Sequence, residues 1–180
     1  MKQFYVTLSV QSRTAPETGE WPLAKFEVDP LFQVLREPEL PEAKALHAYW
    51  QSLRTGDELP TRSSIKLDEV AKLGCADRIF IMDPLPNGDW QYRLLGSEIV
   101  RYFGRDVTGV PFRRHMRADE AEEAIKISNQ VAESRTPIFL KVRFASGDHI
   151  GIVETMSLPI LARDQNRVWL FGGSFFTPDH

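Results

Sequence analysis

Few residues in this 180-residue chain have both the type and the spacing for chemistry, and Glu154 is the clearest of them. It falls in step with Ile150, Ile152, Met156 and Leu158, the alternation of one strand face. A carboxylate on an apolar strand face costs stability unless it is paired. A structural salt bridge to Arg93, Arg101 or Arg143 is the preferred reading. The competing reading has Glu154 facing a pocket, where it would bind a ligand's cationic or hydroxyl group. A slip of parity at a bulge would simply expose it.

The remaining candidates favour structural roles. His47, His115, His149 and His180 are scattered, and no His/Cys cluster has metal-ligand spacing. His115 lies beside Arg113, Arg114 and Arg117, cations that disfavour a charged imidazole. A surface or hydrogen-bonded histidine is the preferred reading there. The three arginines could receive an anionic ligand or an acidic partner, although such a run is more often a solvated face. The single cysteine, Cys75, has no intramolecular disulfide partner and reads as a small buried hydrophobe. Asp106 reads as the cap of a helix beginning near Thr108. Arg62 reads as a clamp between the link LPTRSS and the core. No Gly-rich phosphate loop is present; Gly172-Gly173 interrupt a strand pattern and point to a bulge or a close backbone approach.

Composition sets the outer bounds. The formal net charge is −3 and no basic block stands out, which argues against nucleic acid as a partner. The N-terminus lacks the apolar run of a signal peptide, and no stretch approaches a membrane span, so cytoplasm is the expected location. The length suits one domain with an extension, or one compact domain with an added cap.

The elements that must position these residues fall into three parts. Residues 1–38 read as a proline-bearing arm, with alternation at Phe4, Val6, Leu8 and Val10 and with Trp21, Phe26 and Phe32 to hold it on the body. Residues 39–75 read as a helical cap. Its first helix starts at Pro41, carries the stripe Leu46–Tyr49–Trp50–Leu53 and stops at Gly56. Its second starts near Asp68 and ends at Gly74. Residues 76–177 read as the core. RIFIMD, the Asn87-Gly88 turn and WQYRLL form a hairpin. LLGSEIVRYFGRDVTG holds a helix too short to stand alone, so tertiary contacts must fix it. A longer helix follows, with Asp119 and Glu122 as a capping box and Pro137 as its end. Three strands complete the chain. The pattern predicts an α+β fold: a five-stranded antiparallel sheet with the 97–135 helices across one face.

RIFIMD, the Asn-Gly turn and WQYRLLGSEIVRYFGRDVTG resemble the first strands and short helices of a PAS domain. LHAYWQSLRTGDELPTRSSIKLDEVAKL resembles the lead-in of a bacterial PAS subfamily of short stand-alone proteins. The resemblance covers roughly residues 40–176. It implies a sensory or protein-interaction module and names no ligand. It places pocket-lining residues near the helical insertion, so Tyr92, Tyr102, Phe103, Phe112, His115, Glu154 and Met156 are the pocket candidates. Haem-binding PAS domains use a histidine in the region of His115. The N-C-R-F-L-Q type motif of photosensing flavin-binding relatives does not occur here. No covalently attached chromophore and no metal are expected.

The expected function is a non-catalytic PAS sensor or adaptor that binds a small molecule, a signalling protein such as a histidine kinase, or both. One alternative is a small cupped enzyme of isomerase or hydratase type with Glu154 or Asp148 as base; no acid–base pair can be placed at useful spacing for it. Another is a PAS domain with a filled core that acts only in dimerisation. Strands such as Val168–Phe176 are apolar on both faces, with Trp169 and Phe171 opposite Leu170. A homodimer through the sheet's outer face or the N-terminal segments is therefore expected, unless the 39–75 helices cover that face themselves.

Overall fold

In the computed structural model, which describes residues 26–28, 33–146, 149–164 and 166–178, two short strands lead in: β1 (Phe26–Val28) and β2 (Gln33–Leu35). Helices α1 (Pro41–Ser52) and α2 (Leu67–Lys72) follow. The hairpin is β3 (Ile79–Pro84) and β4 (Trp90–Leu95). The insertion holds α3 (Ser97–Phe103), α4 (Phe112–His115) and α5 (Ala118–Ser134). Strands β5 (Ile138–Ser146), β6 (His149–Leu161) and β7 (Val168–Pro178) end the described chain.

The five long strands lie in the order β5-β6-β7-β3-β4, every neighbouring pair antiparallel. The predicted sheet is thus present, widened by the arm. Both β1 and β2 pair with β5, opposite 144–146 and 139–141 respectively. An open strand edge leaves N–H and C=O groups without partners, and the arm's backbone supplies them. The Phe4–Val10 alternation and the rest of residues 1–25 lie outside the described residues.

The faces of the sheet bury different cores. Ile79, Ile81, Met156, Leu158, Ile160, Phe171 and Phe175 pack with Leu46, Trp50 and Val70 of α1 and α2. Leu46 and Trp50 are each about fully buried, which is worth roughly 2–3 kcal/mol apiece. The Trp50 indole N–H donates to the Pro159 carbonyl at 3.0 Å, so the ring carries its polar edge inside without loss. Gly173 permits the approach: a Cβ there would lie 2.9 Å from the Leu46 side chain. The close approach expected at Gly172-Gly173 is therefore present. Because α1 and α2 cover this outer face, the two-sided apolar pattern needs no second subunit to explain it. The opposite, inner face is covered by α3, α4 and α5.

Local signals differ from expectation at three points. Helix α1 ends at Ser52, and Gly56, with φ +60°, lies beyond it in the turn that pairs Thr55 with Glu58. Helix α5 starts at Ala118, two residues earlier than the D-x-x-E pattern of Asp119 and Glu122 suggests; Glu120 accepts the Arg117 N–H at 3.4 Å, and the Arg117 guanidinium, which has no acceptor atom, completes no capping box. Asp106 accepts the Thr108 N–H at 2.9 Å within a turn and starts no helix. Arg62 behaves as the expected clamp: its N–H donates to Leu161 and its guanidinium to the Ile65 carbonyl. Cys75 is the expected buried hydrophobe, its thiol pushed up to about 11 by burial.

Candidate functional site

Helix α3 has seven residues, and three of them, Ile99, Tyr102 and Phe103, are buried against the sheet. Gly104, at φ +70°, ends it in a left-handed turn that a side chain would strain. Gly96 starts it with its α-carbon against the Asp77 backbone, where a Cβ would fall 2.2 Å from the carbonyl oxygen. The short helix is therefore held between two glycines and packed down on β4. Helix α4 is tied to the β3–β4 loop by Asp89. Its buried carboxylate accepts the Trp90 N–H at 2.8 Å and the Arg113 N–H at 3.3 Å. The Trp90 indole then donates to Asn129 of α5 at 2.9 Å. These contacts fix three helices over the inner face.

Beneath them lies a cavity of about 80 Å³. Phe80 and Met82 of β3, Tyr92 of β4, Ile99 and Phe103 of α3 and Phe112 of α4 form its apolar wall. Ala124, Ile127 and Ser128 of α5 and Leu140 of β5 continue it. Thr155 and Ser157 of β6 and Ser174 of β7 supply hydroxyls from the sheet. The Tyr92 ring lies 5.1 Å from that of Phe112 and 5.9 Å from that of Phe80, centroid to centroid. Thr155 and Ser174 stand opposite in register, their hydroxyl oxygens 3.0 Å apart. Ser128 donates to the Ala124 carbonyl at 2.8 Å. The hydroxyls of Tyr92 and Ser157 make no hydrogen bond among the described residues. Burial raises the Tyr92 phenol well above its ordinary value, so it stays protonated and able to donate. Among the described residues no carboxylate, ammonium, guanidinium or imidazole lines the space.

Of the seven candidate residues, Tyr92, Phe103 and Phe112 line the cavity. Tyr102 does not: its ring stacks on Phe176 at 3.9 Å, in a separate cluster with Phe144 and Val153. His115 does not either. Its Nδ1 is 3.0 Å from the Pro111 carbonyl, its Nε2 is buried without a partner, and its ring lies 6.4 Å from that of Tyr92. Burial, with Arg105 adding to it, lowers its pKa to about 4 despite the Pro111 bond and Asp89.

Glu154 and Met156 face the other side of the sheet. Met156 belongs to the core under α1 and α2. Glu154 is 1 % exposed and accepts the backbone N–H groups of Glu39 at 2.8 Å and Leu40 at 3.1 Å. These amides stand immediately ahead of α1, where the helix dipole favours a negative charge. The expected salt bridge to Arg93, Arg101 or Arg143 is not formed among the described residues: Arg93 pairs with Asp83 and Arg101 with Glu98, and the partners of Glu154 are the two backbone amides. A carboxylate on the apolar face was a sound signal of a buried partner, but the partner is backbone, which no side-chain inventory reveals.

The profile of the PAS domain family matches residues 39–174. The chain belongs to the PAS domain family. Its α+β architecture, with an antiparallel sheet and helices over the inner face, agrees with that membership. PAS domains are in general sensor or interaction modules and typically non-catalytic. Comparison with curated proteins and with solved structures gave no match. Among the described residues no helix is long and apolar enough to cross a membrane, and no three His, Cys, Asp or Glu side chains are grouped to hold a metal.

Proposed function

We propose that this PAS domain is a non-catalytic sensor whose inner cavity takes a small molecule and whose state is passed on by contact with a signalling protein such as a histidine kinase. The observation that supports it is the cavity itself: walled by aromatic rings, floored by hydroxyls, and lined, among the described residues, by none that could serve as a general acid–base pair at neutral pH. The route outward is physical. Thr155 lines the cavity and Glu154, its neighbour on β6, holds the entry to α1 on the opposite face. A ligand that displaces β6 biases the seat of α1, which is a surface element a partner can read.

A second reading is a PAS domain with an effectively filled core that acts by protein contact alone. The volume favours it: about 80 Å³ is small beside the roughly 300–1,000 Å³ of pockets for drug-sized ligands. Native mass spectrometry of the purified chain, beside its absorption spectrum, separates the two. A bound small molecule that disappears in Ala124→Leu, which fills the cavity, supports the sensor. A chain that carries nothing and engages its partner equally well with the cavity filled supports the contact-only module.

A further inference from the structure

We propose that the cavity selects a small uncharged molecule with one hydroxyl or carbonyl oxygen on a short hydrocarbon body, the class of short-chain alcohols and ketones. This rests on the reading of the cavity as a ligand site and assigns its chemistry.

Charge is the first constraint. With no charged side chain in the lining, an entering ion would lose its hydration and gain no counter-charge. His115, whose ring lies 6.4 Å from that of Tyr92, is buried and held neutral, and so offers no cation either.

The division of the walls is the second. Thr155, Ser157 and Ser174 come from neighbouring strands β6 and β7 and place their hydroxyls on the sheet side. The wall contributed by α3 and α4 is Ile99, Phe103 and Phe112, with no polar side-chain atom. Water suits half of such a space. Each buried water needs about two to four polar partners, and one placed against the aromatic wall would lack them. A molecule with one polar end and one apolar end meets both walls. Hydroxyls both donate and accept, so the Ser157 and Tyr92 hydroxyls fit an alcohol or a carbonyl oxygen equally well.

Size is the third. A cavity of about 80 Å³ compares with the roughly 10–15 Å³ of cavity that one water needs, which leaves room for about five non-hydrogen atoms. So few atoms cannot bind tightly, and affinities in the micromolar to millimolar range follow.

The test uses the full chain and four probes at neutral pH: 1-butanol, butyrate, butylammonium and xenon. Amide NMR shifts are the readout. 1-Butanol is expected to shift Tyr92, Thr155 and Ser157 saturably, and the two ions are not. Ser157→Ala is expected to weaken 1-butanol about fivefold, the loss of one neutral hydrogen bond, while xenon still enters. Thr155→Val replaces it should that variant not fold. Butyrate or butylammonium saturating the same amides as well as 1-butanol overturns the assigned class and leaves the cavity reading standing. Unchanged 1-butanol affinity on loss of the hydroxyl overturns it too. If neither xenon nor 1-butanol moves the inner-face amides, the cavity reading itself fails and takes this proposal with it.

Discussion

Along β6, Met156, Leu158 and Ile160 pack beneath α1 and α2, whereas Thr155 and Ser157 face α5 and the cavity. The two series come from one strand and differ in what they are asked to do. The outer series closes against helices with large apolar side chains, and its one carboxylate is satisfied by two backbone amides. The inner series carries small hydroxyl residues with hydrogen-bonding capacity left over and open volume beside them. A sheet with one face packed shut is a rigid floor for the other. The outer face should therefore tolerate substitution poorly, and the inner face should tolerate it well for stability and badly for binding.

The largest expected difference is at Trp50. Trp50→Ala removes a ring from the closed outer face and strands the Pro159 carbonyl, and should cost about 3–5 kcal/mol in urea unfolding. If the loss is under ~1 kcal/mol, α1 is not a packed part of the fold and the contrast between faces collapses. Glu154→Ala comes next. It leaves the Glu39 and Leu40 amides without their acceptor beside a helix terminus, at a cost of about 3 kcal/mol by the same measurement. A cost restricted to the charge would reappear in Glu154→Gln; a substantially milder Gln variant would show that the hydrogen bonds dominate.

The residues explain which of this was legible. The strands, the Asn-Gly hairpin and the α1 stripe follow from period and turn chemistry, which are local. The site depends on which parity of a strand meets which layer, and that is not local. Apolar residues at 150, 152, 156 and 158 suggest a pocket lining, yet the even series from 156 onward packs outward. The signal for the cavity was the intervening Thr155 and Ser157, small polar residues alternating with the apolar Met156 and Leu158. Such a pattern reads as solvent exposure until a second helix layer is known to cover that side. Glu154 was visible as a buried group, but its backbone partners come from 114 and 115 residues away.

Protonation sharpens the comparison from the inner side. His115 is 4 % exposed, with a folded pKa of about 4 against an ordinary 6.5. Above pH 6.5 both folded and unfolded chains carry it neutral, and no penalty exists. Between 6.5 and 4 the unfolded chain binds a proton that the folded chain refuses, so stability falls as pH falls. At pH 5 the loss attributable to this group should be about 2 kcal/mol. His115→Gln should flatten that part of the profile relative to the parent chain in urea titrations at pH 7, 6 and 5. Parallel profiles would mean the imidazole opens to solvent on protonation without disturbing the fold.

The smallest expected effect is the most informative about the cavity. Ser157→Thr adds one methyl group to a strand position on the inner face and keeps the hydroxyl. The side chain lines open volume and makes no hydrogen bond among the described residues, so there is no contact to break. Threonine also suits a strand better than serine. Stability should change by less than about 1 kcal/mol, in the stabilising direction. The same single carbon placed on the outer face at Gly173 would meet Leu46 and Phe175 at 2.9 Å and should destabilise. Ligand affinity should move the other way, because the methyl takes part of a volume of only about 80 Å³. Thermal unfolding of the two variants, with 1-butanol titrated into each, reads both effects together. A destabilised Ser157→Thr would show that the inner face is as tightly packed as the outer one, and that the asymmetry between them does not hold.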